Sequence, residues 1–358
     1  MQTRSLSRQR LKFVSPWMLG KRADLCYFFL PVFLGLALFF LSQSELVNKS
    51  VFWAAVLGFG MAIGPFHQGP TLFTYLDKTN RQYYFSSRKN IFLFIVMPPL
   101  LVLTSITAAF ASPLALFVIV SLWHIQHLVQ QNIRVLAIYH GNDPQSNEAI
   151  PHANLAATTQ WGAAIVCTLI SCARTNFIGL QALPGLNILI IALASWVLVR
   201  CIQYLLDLHK QVREGAALNL PALGLWLIGL LSMIPVAFLG QDFFAPFVIP
   251  LMIHWIQFIG LNIYLVRRKY RTDCRADLPG TNPLVMLLSF CACYSLALVF
   301  IHSYADQTAG QEWWRTLALG TVMGLGMCHY FLDTYIWRFD QEFQKEAFLG
   351  YLNSKTAK

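Results

Sequence analysis

Residues 91–138 read IFLFIVMPPLLVLTSITAAFASPLALFVIVSLWHIQHLVQQNIRVLAI. Between Lys89 and Arg134 no side chain carries a formal charge. A helix needs ~20 apolar residues to cross the hydrocarbon core of a bilayer, so this stretch is long enough for two spans. The turn between them has room only at Ala111-Ser112-Pro113. Proline lacks a backbone N–H and has a fixed φ, so it opens a helix more readily than it continues one. Two apolar helices joined with almost no loop belong in lipid. The sequence therefore predicts an all-α fold, a polytopic integral membrane helical bundle.

Working outward from this hairpin, apolar runs of spanning length occur near 25–42, 51–76, 90–112, 113–138, 156–174, 186–206, 219–239, 243–266, 283–303 and 315–337. Ten transmembrane helices are expected. Composition agrees: 56% of residues are hydrophobic and only 12% charged, where a soluble domain carries ~25% charged residues. This excludes a cytosolic α/β enzyme, a disordered chain and a secreted disulfide scaffold. The eight cysteines include no Cys-x-x-Cys pair and mostly sit in apolar runs, so they are expected to be buried packing thiols.

A net charge of +10 would point to nucleic acid in a soluble protein, but basic loops orient membrane proteins. With ten spans, 23 of the 26 Lys and Arg residues fall on the side that holds both termini; the other side receives only Lys49, Arg174 and Arg315. Both termini are accordingly expected in the cytoplasm. The expected organisation is a basic cytoplasmic segment at 1–24, a single transmembrane domain at 25–338 and a cytoplasmic tail at 339–358. The expected location is the bacterial inner (cytoplasmic) membrane. No loop is long enough for a soluble domain, and no phosphate-binding or dinucleotide motif is present.

Five of the nine histidines lie inside even-numbered spans: His67, His124, His127, His254 and His329. Counted from each cytoplasmic end they lie about 8–14 residues deep, one slab roughly 12–21 Å in at ~1.5 Å per residue. Ionisable side chains inside a bilayer are costly and mark functional sites by default. His124 and His127 share a helix face that Gln131 and Arg134 continue; Gln257 follows His254 at +3 and Asp333 follows His329 at +4. A lone membrane histidine also serves as an interhelical hydrogen-bond donor, and Asp333 has Arg338 and Arg134 as possible ion-pair partners. The shared depth of all five favours a metal or haem site, with Asp333, Gln131 and Gln257 as supporting or catalytic candidates. Imidazole-rich sites suit Fe, Cu and Zn.

Four segments carry a resemblance: Pro65-Phe66-His67-Gln68-Gly69, Trp123-His124-Ile125-Gln126-His127, Ile253-His254-Trp255-Ile256-Gln257 and Cys328-His329-Tyr330-Phe331-Leu332-Asp333. Together they resemble the membrane β-carotene dioxygenases of the bacteriorhodopsin-related-protein (Brp/Blh) class. In that family such histidines bind one iron that cleaves a polyene with O2. The resemblance implies the same role for His67, His124, His254 and His329; His127, one turn along the same face from His124, is expected as a fifth ligand or a donor behind them. The expected cofactor is therefore non-haem Fe, and the expected partners are lipids, O2 and a hydrophobic substrate, isoprenoid or fatty. Haem b held by paired histidines and a proton-coupled transporter using the His and Asp residues are the alternative readings.

Overall fold

Capping residues and prolines set the helix boundaries. The computed structural model describes residues 13–141, 150–238, 245–272, 282–307 and 312–352. Residues 1–12 of the basic segment, 353–358 of the tail and Cys274 lie outside the described residues. Nine helices among the described residues are long and apolar enough to cross a membrane. They are α1 (Lys21–Gln43), α2 (Lys49–Leu76), α3 (Arg88–Ala111), α4 (Pro113–His140), α5 (Asn154–Arg174), α6 (Leu186–Arg213), α7 (Leu220–Phe238), α8 (Phe247–Tyr270) and α9 (Pro283–Ser303). The expected tenth, α10 (Glu312–Ile336), forms with 25 residues. It is not among the nine, because three glycines, His329 and Asp333 dilute its hydropathy. An interior helix that carries a polar site is necessarily less apolar than one facing lipid on most sides.

Short polar side chains begin the helices by accepting from otherwise orphaned N–H groups. Asn48 accepts from the Val51 N–H, Ser87 from Asn90, Asn219 from Ala222 and Asn282 from Leu284, at 3.0–3.2 Å. Ser112 stands alone between α3 and α4, with Pro113 opening the second.

The chain divides into two compact units. One comprises residues 1–24 and 129–250, with α5 packed on α6 and α7. Its strands are two residues each, Phe13–Val14 paired in parallel with Leu218–Asn219. The other unit comprises residues 25–128 and 251–358; in it α10 packs on α3, and α9 on α2. It contains all five membrane histidines.

Helix contact in this second unit is close because glycine removes the Cβ layer. A Cβ on Gly69 would stand 2.6 Å from Cys291 Sγ and 2.9 Å from its Cα, and one on Gly320 2.6 Å from the Ile106 Cα. Backbone cannot yield as a side chain can. Gly69→Val is expected to push α2 and α9 apart at a cost of ~1–3 kcal/mol, read as a lower thermal midpoint.

The seven described cysteines are free. Cys172, Cys291 and Cys328 are buried as expected, but Cys26 and Cys293 are exposed. An apolar run guarantees membrane residence, not an inward face, and a thiol is apolar enough to face lipid.

Candidate metal centre

Each histidine is carried on a membrane-length helix. On α2, His67 sits between Pro65 and Pro70, and its Nδ1 donates to the Gly64 carbonyl. A carbonyl can only accept, so the neutral ring carries its proton on Nδ1 and turns a lone pair outward on Nε2. Gly64 also leaves space for Trp255, whose indole would lie 3.1 Å from a Cβ there and stacks on the His67 ring at 5.4 Å. Phe258 closes the cluster further, 5.4 Å from the His329 ring and 6.1 Å from His67.

Four of the rings form a closed circuit. His67 lies 4.7 Å from His329, His329 4.8 Å from His127, His127 4.9 Å from His254, and His254 5.5 Å from His67, between ring centroids. An imidazole nitrogen ~2.1 Å from an ion puts its ring centroid ~3.2 Å away, so neighbouring rings stand ~4.5 Å apart at right angles and ~5.2 Å at the tetrahedral angle. The observed spacings, 4.7–5.5 Å, run from just above the first value to just above the second. Ligand atoms of His67, His254 and His329 lie within 4.8 Å of one another, as do those of His127, His329 and Asp333.

The four histidines are at most 5% exposed. Nevertheless His67 Nε2, His127 Nε2, His254 Nδ1 and Nε2, and His329 Nε2 have no hydrogen-bond partner. A buried unsatisfied polar atom costs ~1–3 kcal/mol. Five together would amount to ~5–15 kcal/mol, comparable to the whole stability of a domain. Such a set fits a bound cation, which takes up one lone pair from each neutral ring and so four of the five atoms.

Behind His329 lies a hydrogen-bonded chain. Thr71 Oγ1 donates to Asp333 Oδ1 at 2.7 Å and lies 2.8 Å from His329 Nδ1. The direct separation from His329 Nδ1 to Asp333 Oδ1 is 3.8 Å, too long for a hydrogen bond. The +4 spacing thus gives no direct contact between Asp333 and His329; a hydroxyl from α2 bridges the two. Asp333 Oδ2 also faces His127 Nε2 at 3.9 Å. Arg338, considered as its partner from sequence, instead makes a two-pronged contact with Asp340 at 2.9 and 3.3 Å.

The remaining candidates lie elsewhere. His124 is in neither ligand group; its ring sits 5.0 Å from that of Tyr330, which also stacks on His127 at 4.7 Å. Gln257 donates to the Phe28 carbonyl at 3.0 Å and so ties α8 to α1. Gln131 is buried on α4 in the first unit, with no hydrogen-bond partner for its amide. Thr71 was not anticipated, although its place one turn after His67 repeats the spacing of Asp333 after His329.

These features define the class as a multi-pass helical protein, of a kind built for a membrane, with a buried histidine cluster suited to a metal ion. No protein-family model, curated protein or solved structure matches the chain.

Proposed function

We propose that His67, His127, His254 and His329 hold one non-haem iron within the membrane. The protein is then an oxidoreductase that acts with O2 on a hydrophobic substrate, isoprenoid or fatty. The observation that carries this reading is the closed circuit of four buried rings whose inward nitrogens have no other partner. Iron bound there would supply oxygen activation beside a substrate already dissolved in lipid. The chain's own contribution is to present the imidazoles in their neutral form, orient them and exclude water with Trp255, Phe258 and Tyr330.

Ring spacing also supports a bare ion over haem b. Two axial imidazoles on one haem iron place their centroids ~6.3 Å apart, with a porphyrin between them. Every neighbouring pair in the circuit is closer than that. The resemblance to the Brp/Blh dioxygenases points the same way, with His127 here taking the ligand position that the resemblance implied for His124.

Elemental analysis and an optical spectrum of the purified full-length protein test the reading. About one iron per chain without a Soret band is the expected result. A Soret band would transfer the assignment to haem, and a folded protein free of metal would overturn it.

The same reading includes α10 as a tenth span and both termini in the cytoplasm, because the basic residues divide 23 to 3 only in that arrangement. A reporter fused to the C-terminus is expected to be active on the cytoplasmic side. Activity on the opposite side would overturn the span count.

A further inference from the structure

We infer that Thr71 and Asp333 form a positioning pair that decides which nitrogen of His329 faces the centre. This inference rests on the metal reading above and adds a residue that it does not require. A threonine hydroxyl has one hydrogen. Thr71 gives that hydrogen to Asp333 Oδ1 at 2.7 Å. Toward His329 Nδ1, 2.8 Å away, the hydroxyl oxygen can therefore only accept. His329 must carry its proton on Nδ1, which leaves the Nε2 lone pair turned into the circuit.

The geometry makes the hydroxyl necessary. At 3.8 Å the carboxylate cannot reach Nδ1 directly. Thr71 is 2% exposed and His329 1%, so water has no access to take its place. Thr71 and His67 stand one turn apart on α2, and Asp333 and His329 one turn apart on α10. The two pairs cross: α2 supplies one ligand together with the hydroxyl that orients the other helix's ligand. His67 has its own orienting group in the Gly64 carbonyl, so the two rings receive the same tautomer from different partners. Groups behind a metal-bound histidine commonly fix its tautomer in this way.

Two measurements on the full-length protein in detergent test the pair. In the metal-stripped wild type labelled with 15N-histidine, His329 is expected as the Nδ1–H form, identified by the signal missing from His329→Gln. This reading needs no Thr71 variant to fold. In a Co2+ titration followed by its visible band, Thr71→Val is expected to weaken binding ~10–100-fold and to change the band. Thr71→Ser is expected to restore both. An Nε2–H signal for His329, or a Thr71→Val protein that matches wild type, would overturn the positioning pair and leave the metal reading intact. A wild type that binds no Co2+ would instead overturn the metal reading together with the pair.

Discussion

His329→Ala is expected to leave the purified protein with almost no bound metal, where the metal reading expects about one ion per chain in the wild type. His329 belongs to both groups of converging ligand atoms, and its ring adjoins those of His67 and His127. Its removal opens the circuit at one corner and leaves Thr71 and Asp333 without the imidazole they hold. Loss of an outer partner alone weakens metal binding ~10–100-fold, so loss of the ligand itself should exceed ~100-fold. His124→Ala is the matched control, because His124 lies in neither ligand group. It is expected to retain most of the metal while disturbing Tyr330, its ring neighbour at 5.0 Å. Equal metal content in wild type and His329→Ala would show that the ion, if present, sits elsewhere.

Lys269→Ala is expected to be the most destabilising change outside the centre. Lys269 Nζ lies 2.8 Å from Asp77 Oδ2, with the two side chains 10% and 5% exposed. Asp77 also accepts from the Tyr270 hydroxyl at 2.7 Å and from the Asn80 N–H at 2.9 Å. These contacts tie the end of α2, which carries His67, to the end of α8, which carries His254. Removing one partner of a buried pair leaves a buried charge uncompensated, at a cost of ~3–5 kcal/mol.

The pH dependence distinguishes this cause from simple loss of packing. Burial by itself pushes the Asp77 carboxyl up, but the charge and hydrogen bond of Lys269, with those from Asn80 and Tyr270, outweigh it. The net result is a carboxyl held below its ordinary 3.8. A group depressed in the folded state adds stability above its unfolded value, and that stability is lost as pH falls through the folded one. Without Lys269 the burial effect has less to oppose it, and the variant gains relief when Asp77 is protonated. The difference in thermal midpoint between wild type and Lys269→Ala should therefore be large at pH 7 and shrink toward pH 4. A difference independent of pH would mean that Lys269 acts through its aliphatic stem and its contacts with Tyr270 and Phe348.

Much of the architecture was legible in the sequence. Length and hydropathy suffice to place α1 to α9, because a span must satisfy its backbone internally and present apolar side chains to lipid. The capping residues and the Ala111-Ser112-Pro113 break act within one turn, so they too can be read locally. α10 was legible as an apolar run, although its glycines and polar residues keep its hydropathy below that of its neighbours. The expectation of a common depth for the histidines comes from counting residues along spans whose direction the charge distribution assigns.

Neither the ligand set nor what stands behind it could be read in this manner. His124 and His127 are equally placed on one face of α4, and only the packing of α4 beside Tyr330 separates the ring that joins the circuit from the one that does not. Asp333 stands at the expected spacing from His329, but a hydroxyl from a helix 262 residues away in sequence occupies the gap. Gln257 has the polarity of a site residue and is engaged by the Phe28 carbonyl instead. Periodicity along one helix determines which residues share a face, and so the sequence alone determined the helices and their polar faces. How far each helix is rotated and how closely it approaches its neighbours depends on contacts between distant segments, such as Gly69 against Cys291 and Gly64 against Trp255. Those contacts decide which nitrogen meets which, and they exist only once the tertiary structure has formed.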